Sequence, residues 1–197
     1  MHYDGAIYEG SWKEDKQHGH GVETWPDEAR YEGAYINGTK HGHGKFNWND
    51  GASYTGQFRY NDIQGRGLYT WSDGRNYDGE WQGNKMHGTG IFRWKDGRTY
   101  EGEFANDRKE GHGVLIWKDG RKYDGQWRNG KQDGFGYFTD EMGVMKKGKW
   151  LEGKVQCWFN EQGERVSTTL SADINRDSVL VNQEVAEGSN KHQQEIV

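Results

Sequence analysis

Tyr77-Asp78-Gly79-Glu80-Trp81, then His87-Gly88-Thr89-Gly90-Ile91-Phe92-Arg93-Trp94, then Asp96-Gly97 is the stretch that decides the fold. The same statement recurs on both sides. Its leading tyrosine stands at 8, 31, 54, 77, 100 and 123, a period of 23 residues with no insertion, and the next position in register is Lys146. A fixed period of that length marks an array of identical supersecondary units. Full units occupy 8–30, 31–53, 54–76, 77–99, 100–122 and 123–145. Residues 1–7 carry the tail of an incomplete unit, and a degraded seventh keeps only Gly148 and Trp150.

Within a unit, alternation with period two marks extended chain. Tyr100, Gly102 and Phe104 share one face while Glu101 and Glu103 point the other way. Gly111, Gly113, Leu115 and Trp117 likewise oppose His112, Val114 and Ile116. The polar connection Ala105 to Glu110 joins the two segments, and its equivalents carry the Asn-Gly turn signal at Asn37-Gly38 and Asn129-Gly130. Each unit is therefore a β-hairpin. Asp-Gly at 50, 73, 96 and 119 supplies a second turn that returns the chain beside the previous hairpin. The expected fold is all-β, a single-layer antiparallel meander. At ~4.8 Å per strand, about thirteen strands would make it elongated, roughly 60 Å along the axis.

A strand-interior glycine is unfavourable unless something uses the space it leaves. Here the occupant is a ring laid across the glycine of a neighbouring strand, which gives one sheet a hydrophobic layer of its own. Ten Trp, eleven Tyr and seven Phe carry that layer in a chain with 31 Gly and only 31% hydrophobic residues. The layer is expected to hold Tyr8, Trp12 and Trp25, then Tyr31, Tyr35, Phe46 and Trp48, continuing in register through Trp71, Trp94 and Trp117 to Tyr137 or Phe138 and Trp150. Residues 1–7 and 146–160 are the expected caps of an array spanning 1–160.

From Glu161 the rhythm stops. Glu161, Glu164, Asp173, Asp177, Glu184, Glu187 and Glu195 face only Arg165, Arg176 and Lys191, which puts most of the net charge of −5 in 161–197. That composition reads as an acidic tail, disordered or ordered by a partner, with Ser178 to Ala186 its one structured candidate. Net negative charge and the lack of a Lys/Arg block argue against nucleic acid as a partner. The single cysteine, Cys157, allows no intrachain disulfide and suits a reducing, cytoplasmic compartment. The longest apolar run, Val114-Leu115-Ile116-Trp117, falls far below the ~20 residues that span a bilayer.

The unit Tyr-(Glu/Asp)-Gly-x-aromatic, polar turn, His-Gly-x-Gly, aromatic, Asp-Gly resembles the MORN (membrane occupation and recognition nexus) repeat over residues 8 to about 153. The resemblance implies a scaffold or targeting module. Relatives occur in cytoskeletal and ciliary proteins such as radial spoke heads, at membrane contacts, and beside kinase or methyltransferase domains. No single ligand is common to them.

Chemistry-bearing motifs are sparse. His18 with His20 and His41 with His43 have chelating spacing, but equivalent positions read Gln64/Arg66, Glu110/His112 and Asp133/Phe135, and repeats ~10 Å apart cannot share a zinc ion. These histidines are expected to be structural. Gly19-His20-Gly21 lacks the extension of a phosphate loop, and neither a nucleophile elbow nor a zinc-protease helix is present. The expectation is a non-enzyme without cofactor or metal. Glu9, Glu32, Asp78, Glu101 and Asp124 follow the leading tyrosines, with Thr55 and Lys147 as departures. With Trp25, Trp48, Trp71, Trp94 and Trp117 they form the candidate docking residues for a basic, amphipathic helix or extended segment of another protein. The setting implied by the resemblance is a cytoskeletal or ciliary (axonemal) assembly. The alternative is a peripheral module for anionic phospholipids, using Lys40, Lys85, Lys95, Arg98, Lys109, Lys118, Arg121, Lys122 and Lys131 on the turns. An exposed terminal strand also makes a homodimer an expectation.

Overall fold

The computed structural model describes residues 5–166. Among them there is no helix. Fifteen strands follow one another in chain order, and within each of two compact units every strand is antiparallel to the one before. Two compact units divide at the start of the eighth strand, the first ending at Lys85 and the second beginning at Met86. The first holds β1 (Ile7–Lys13), β2 (Lys16–Thr24), β3 (Arg30–Ile36), β4 (Thr39–Asn47), β5 (Ser53–Arg59), β6 (Asp62–Thr70) and β7 (Asn76–Gln82). The second holds most of β8 (Lys85–Arg93), then β9 (Thr99–Ala105), β10 (Arg108–Ile116), β11 (Lys122–Arg128), β12 (Lys131–Thr139), β13 (Met145–Leu151), β14 (Lys154–Phe159) and β15 (Arg165–Val166). The sheet thus runs past the expected boundary at 160, because Asn160 and Glu164 close one more turn through reciprocal backbone and side-chain hydrogen bonds. The rest of the expected tail, 167–197, lies outside the described residues.

Both turn types follow from local chemistry. The hairpin turns are two residues long with both φ values positive, as at Asn37 (51°) and Gly38 (85°) or Asn106 (48°) and Asp107 (67°). That geometry matches strand twist and selects Asn, Asp and Gly. It is tighter than the sequence suggested, so residues 108–110, expected in the connection, belong to β10. At the other end of each hairpin an Asp caps the turn. Asp73 Oδ1 accepts the N–H of Arg75 at 3.0 Å, Asp96 that of Arg98 at 3.0 Å, and Asp119 that of Arg121 at 3.1 Å. The hairpin turn also docks on the preceding hairpin, since the Asn61 N–H donates to Lys40 O (3.1 Å) and the Asn61 side chain accepts the Lys40 N–H (2.8 Å).

The core is a file of rings on one face. Each leading tyrosine lies across two paired glycines, for example Tyr31 over Gly33 and Gly44, which are register partners. Its hydroxyl donates to a carbonyl three residues on, Tyr31 to Ala34 at 3.0 Å and Tyr100 to Glu103 at 3.0 Å. The flat ring is thereby pinned over backbone. Edge-to-face contacts then link hairpin to hairpin: Tyr31 meets Tyr35 (5.2 Å) and Phe58 (5.1 Å) in the first unit, and Tyr123 meets Trp127 (5.3 Å) and Trp150 (4.9 Å) in the second. Each such pair adds about 0.5–1.5 kcal/mol beyond area burial. Of the two candidates at 137 and 138, Phe138 is inside and Tyr137 outside. Trp12, expected in the layer, is 55% exposed, because among the described residues no hairpin precedes β1 to cover it.

One core position escaped the sequence reading because it was assigned to the turn. Gln17, Lys40, Ile63, Met86, Lys109, Gln132 and Val155 are all buried, and register sets Lys40, Ile63, Lys109, Gln132 and Val155 opposite the core rings Tyr35, Phe58, Phe104, Trp127 and Trp150. Lys109 Nζ sits 4.7 Å from the Trp127 ring centroid and 5.4 Å from that of Trp94. Rings accept a cation on their faces, which offsets part of the desolvation cost. Lys40 has an anion as well: Glu23, in the place Phe46 holds one repeat later, lies 3.9 Å away. Glu23 also accepts from Tyr35 (2.9 Å) and Gln17 (3.1 Å). Burial, reinforced by Glu23, holds the Tyr35 phenol neutral far above its ordinary range.

Two measurements check this account. Gly44→Ala drives a methyl into the Tyr31 ring and should cost about 2–3 kcal/mol in urea unfolding. At Gly38, where a methyl meets nothing, the same change should cost only about 1 kcal/mol, from its positive φ; equal losses would refute ring-over-glycine packing. Lys40→Ile leaves the Glu23 carboxylate buried without that cation and should cost about 3 kcal/mol. Adding Glu23→Phe gives these two positions the residues they have one repeat later, Phe46 and Ile63, and should recover most of the loss. A double variant no more stable than Lys40→Ile would remove the ion pair from the explanation.

Candidate functional site

Strand alternation puts the leading tyrosines on one face and the residues that follow them on the other. In the first unit Glu9 and Asp78 are exposed and Glu32 half-buried; in the second Glu101 is exposed and Asp124 half-buried. Register sets these carboxylates beside apolar side chains, except in β4 and β5, where Glu32 pairs with Lys45 and Lys45 with Thr55. Val22 pairs with both Glu9 and Glu32, and Leu68, 43% exposed, pairs with Asp78. In the second unit Glu101 pairs with Ile91 and Val114, and Val114 also pairs with Asp124. The aliphatic row was visible in the sequence only as the polar-facing half of each second strand. Register is what joins it to the acidic row.

The tryptophans are elsewhere. Trp48, Trp94 and Trp117 are buried on the tyrosine face, and Trp25 and Trp71 are half-buried. Trp48 packs against Phe46 (4.6 Å) and Trp94 against Phe92 (4.5 Å), each pair tilted. Several carry a cation of their own chain: Arg75 over Trp71 (5.6 Å), Arg98 over Trp94 (5.2 Å), Arg121 over Trp117 (5.6 Å) and Lys40 over Trp25 (4.9 Å). The arginines are oriented by Asp73, Asp96 and Asp119 at 2.7 Å each. The hydrogen bond from Arg121 holds the Asp119 carboxyl below the usual carboxylate range. The structure therefore does not bring the acidic residues and the tryptophans together. They lie on opposite faces: Glu101 directly follows Tyr100 on its strand and points away from it, whereas Trp117 stands two residues beyond Leu115, whose register partner is Tyr100.

The basic row also changes. Lys40 and Lys109, expected on the turns, are buried among rings at 6% and 1% exposure and face no headgroup. Lys122 lies 3.2 Å from Asp124 and Lys131 2.6 Å from Glu152. The first histidine position serves the next turn. His18 Nδ1 accepts the Asn37 N–H at 3.5 Å, Gln64 accepts from Gly83 (3.1 Å), and Glu110 accepts from Asn129 (2.8 Å). His41 meets Tyr60 edge to face (5.1 Å), and His112 Nε2 lies 3.0 Å from Asp124. Among the described residues no three His, Cys, Asp or Glu side chains gather as metal ligands.

The outer face changes character in the last hairpins. Where earlier repeats carry Glu or Asp after the tyrosine, β13 carries Lys147, and where they carry Glu80, Glu103 or Gln126 it carries Lys149. Phe135 and Tyr137, 47% and 43% exposed, occupy the neighbouring positions of β12.

Comparisons with known proteins bear on the repeat itself. No curated protein matches the chain. Solved structures similar to it include the SAS-4 (dCPAP) TCP domain of Drosophila melanogaster, in complex with a proline-rich motif of Ana2 (dSTIL). That likeness has 12% identity, covers 66% of this chain and 83% of that one, and has a TM-score of 0.37. The wild-type TCP10 domain of Danio rerio CPAP is similar at 17% identity, over 77% of this chain and 84% of that one, with a TM-score of 0.38. The family model of the MORN repeat matches residues 8–30, 31–53, 54–74, 77–97, 100–120 and 123–145. Six in-phase matches, each built on a tyrosine seated over paired glycines, mean that this chain belongs to the MORN-repeat family.

Proposed function

We propose that the chain is a non-catalytic scaffold in which the outer sheet face of each compact unit binds a basic, amphipathic segment of another protein. The observation that carries this reading is the registered alternation of Glu9, Glu32, Asp78, Glu101 and Asp124 with Val22, Leu68, Ile91 and Val114. A segment with lysines or arginines between apolar residues meets both rows at once. Apolar contact would supply affinity, and the carboxylates orientation and on-rate. The tryptophan margin is a weaker candidate anchor, because its rings are largely spent on the core and on their own arginines. A cytoplasmic setting in a cytoskeletal or ciliary assembly is the part of the proposal that rests on family resemblance. Pairing of two copies through β1, whose margin presents Trp12, belongs to the same reading.

Glu32→Lys, Asp78→Lys and Glu101→Lys together should leave circular dichroism unchanged and weaken retention of native co-purifying proteins at least about tenfold. Unaltered retention would refute the acidic face as a docking surface. Flotation with phosphoinositide vesicles at physiological salt separates the lipid alternative, which loses Lys40 and Lys109 to the core. Robust flotation would displace the protein-binding reading. Light scattering should show a dimer that Trp12→Ser dissociates, and a monomeric native chain would remove the pairing.

A further inference from the structure

The outer face of β12 to β14 sets Phe135 and Tyr137 beside Lys147 and Lys149, where the earlier repeats carry His, Thr or Arg at the first of these positions and Val, Ile, Leu or Lys at the second. Phe135 pairs with Lys149, and Tyr137 pairs with Lys147, which in turn pairs with Phe159. The Phe135 ring lies 5.6 Å from Lys149 Nζ, 5.7 Å from Lys147 Nζ and 5.9 Å from the Phe159 ring. Met145 and Leu151 continue β13 on the same face, 64% and 54% exposed. None of this serves the core, which lies on the other side. Conversion of an acidic, histidine-bearing row into an aromatic and basic one makes a cationic apolar patch where the fold requires none.

We propose that this patch is the docking site for the chain's own residues 178–187. Three observations point to that occupant. The segment is Ser178-Val179-Leu180-Val181-Asn182-Gln183-Glu184-Val185-Ala186-Glu187, apolar and acidic, the complement of a ring-lined basic surface. Residues 167–197 hold Asp173, Asp177, Glu184, Glu187 and Glu195 against Arg176 and Lys191, whereas the patch has Lys147, Lys149 and Arg165. The chain also leaves the sheet beside the patch, because Arg165 in β15 pairs with Phe159. The connection from 167 to 177 spans up to about 35 Å when extended, ample to reach Phe135. Tethering at that distance gives an effective concentration on the order of millimolar, so a weak intrinsic affinity suffices. Val179, Leu180 and Val181 cover Phe135, Tyr137 and Phe159, and Glu184 and Glu187 meet Lys147 and Lys149.

Hydrogen exchange on the full chain tests this. Peptides covering 178–187 should exchange about tenfold slower than the same sequence as a free peptide. Lys147→Glu with Lys149→Glu should abolish that protection while β9 to β12 stay protected, and adding Glu184→Lys with Glu187→Lys should restore it. Val179→Asp with Val181→Asp, which leaves the sheet untouched, should abolish it independently. Free-peptide rates in the native chain would overturn the proposal, as would protection indifferent to Lys147 and Lys149. Protection that fades on dilution would also overturn it, by assigning the occupant to a second copy.

Discussion

Everything in this molecule depends on a tyrosine ring lying flat across two glycines of adjacent strands. A sheet without a partner layer has no obvious place to bury apolar surface. The paired glycines, Gly33 with Gly44 or Gly102 with Gly113, open a channel in the pleat as deep as a side chain. The ring fills it, and its hydroxyl finds a carbonyl on its own strand. The sheet supplies backbone, glycine and ring together, so one layer becomes its own core. Nothing else in the chain could replace that arrangement, because the aliphatic content is too low to build a second layer.

Two consequences follow for function. The tyrosine face is consumed by packing: even its cations, Lys109 and the arginines over Trp71, Trp94 and Trp117, are held by rings of the same chain. The opposite face contributes to the fold through Gln57, Glu103 and Gln126, whose side chains accept backbone N–H groups where β6, β10 and β12 bulge. Its residues are free to vary between repeats. They do so in an ordered way, acidic and aliphatic through most of the chain and aromatic and basic at β12 to β14. Diversity confined to one face of a regular scaffold is how repeat proteins separate stability from recognition.

Most of the architecture was legible from the period and the glycines. The 23-residue spacing, the alternation around Tyr100 and Leu115, and the Asn-Gly and Asp-Gly turns together specify hairpins and which residues share a face. The seven positions from Gln17 to Val155 were not legible as core, because polar residues in a polar stretch carry no apolar signal. A lysine reads as solvent until rings are known to surround it. Of the candidate docking residues, the sequence places the carboxylates on the face away from the tyrosines, but only the fold puts the tryptophans grouped with them on the other face.

What the sequence determined alone was the unit, its turns and the ring file, since these are local relations within or between adjacent strands and repeat identically. Only the tertiary structure decided which row stands beside which. Antiparallel register sets Val22 between Glu9 and Glu32, and Lys147 between Tyr137 and Phe159. That is a property of strand pairing, where residues distant in the chain become neighbours about 5 Å apart, and no single strand contains it.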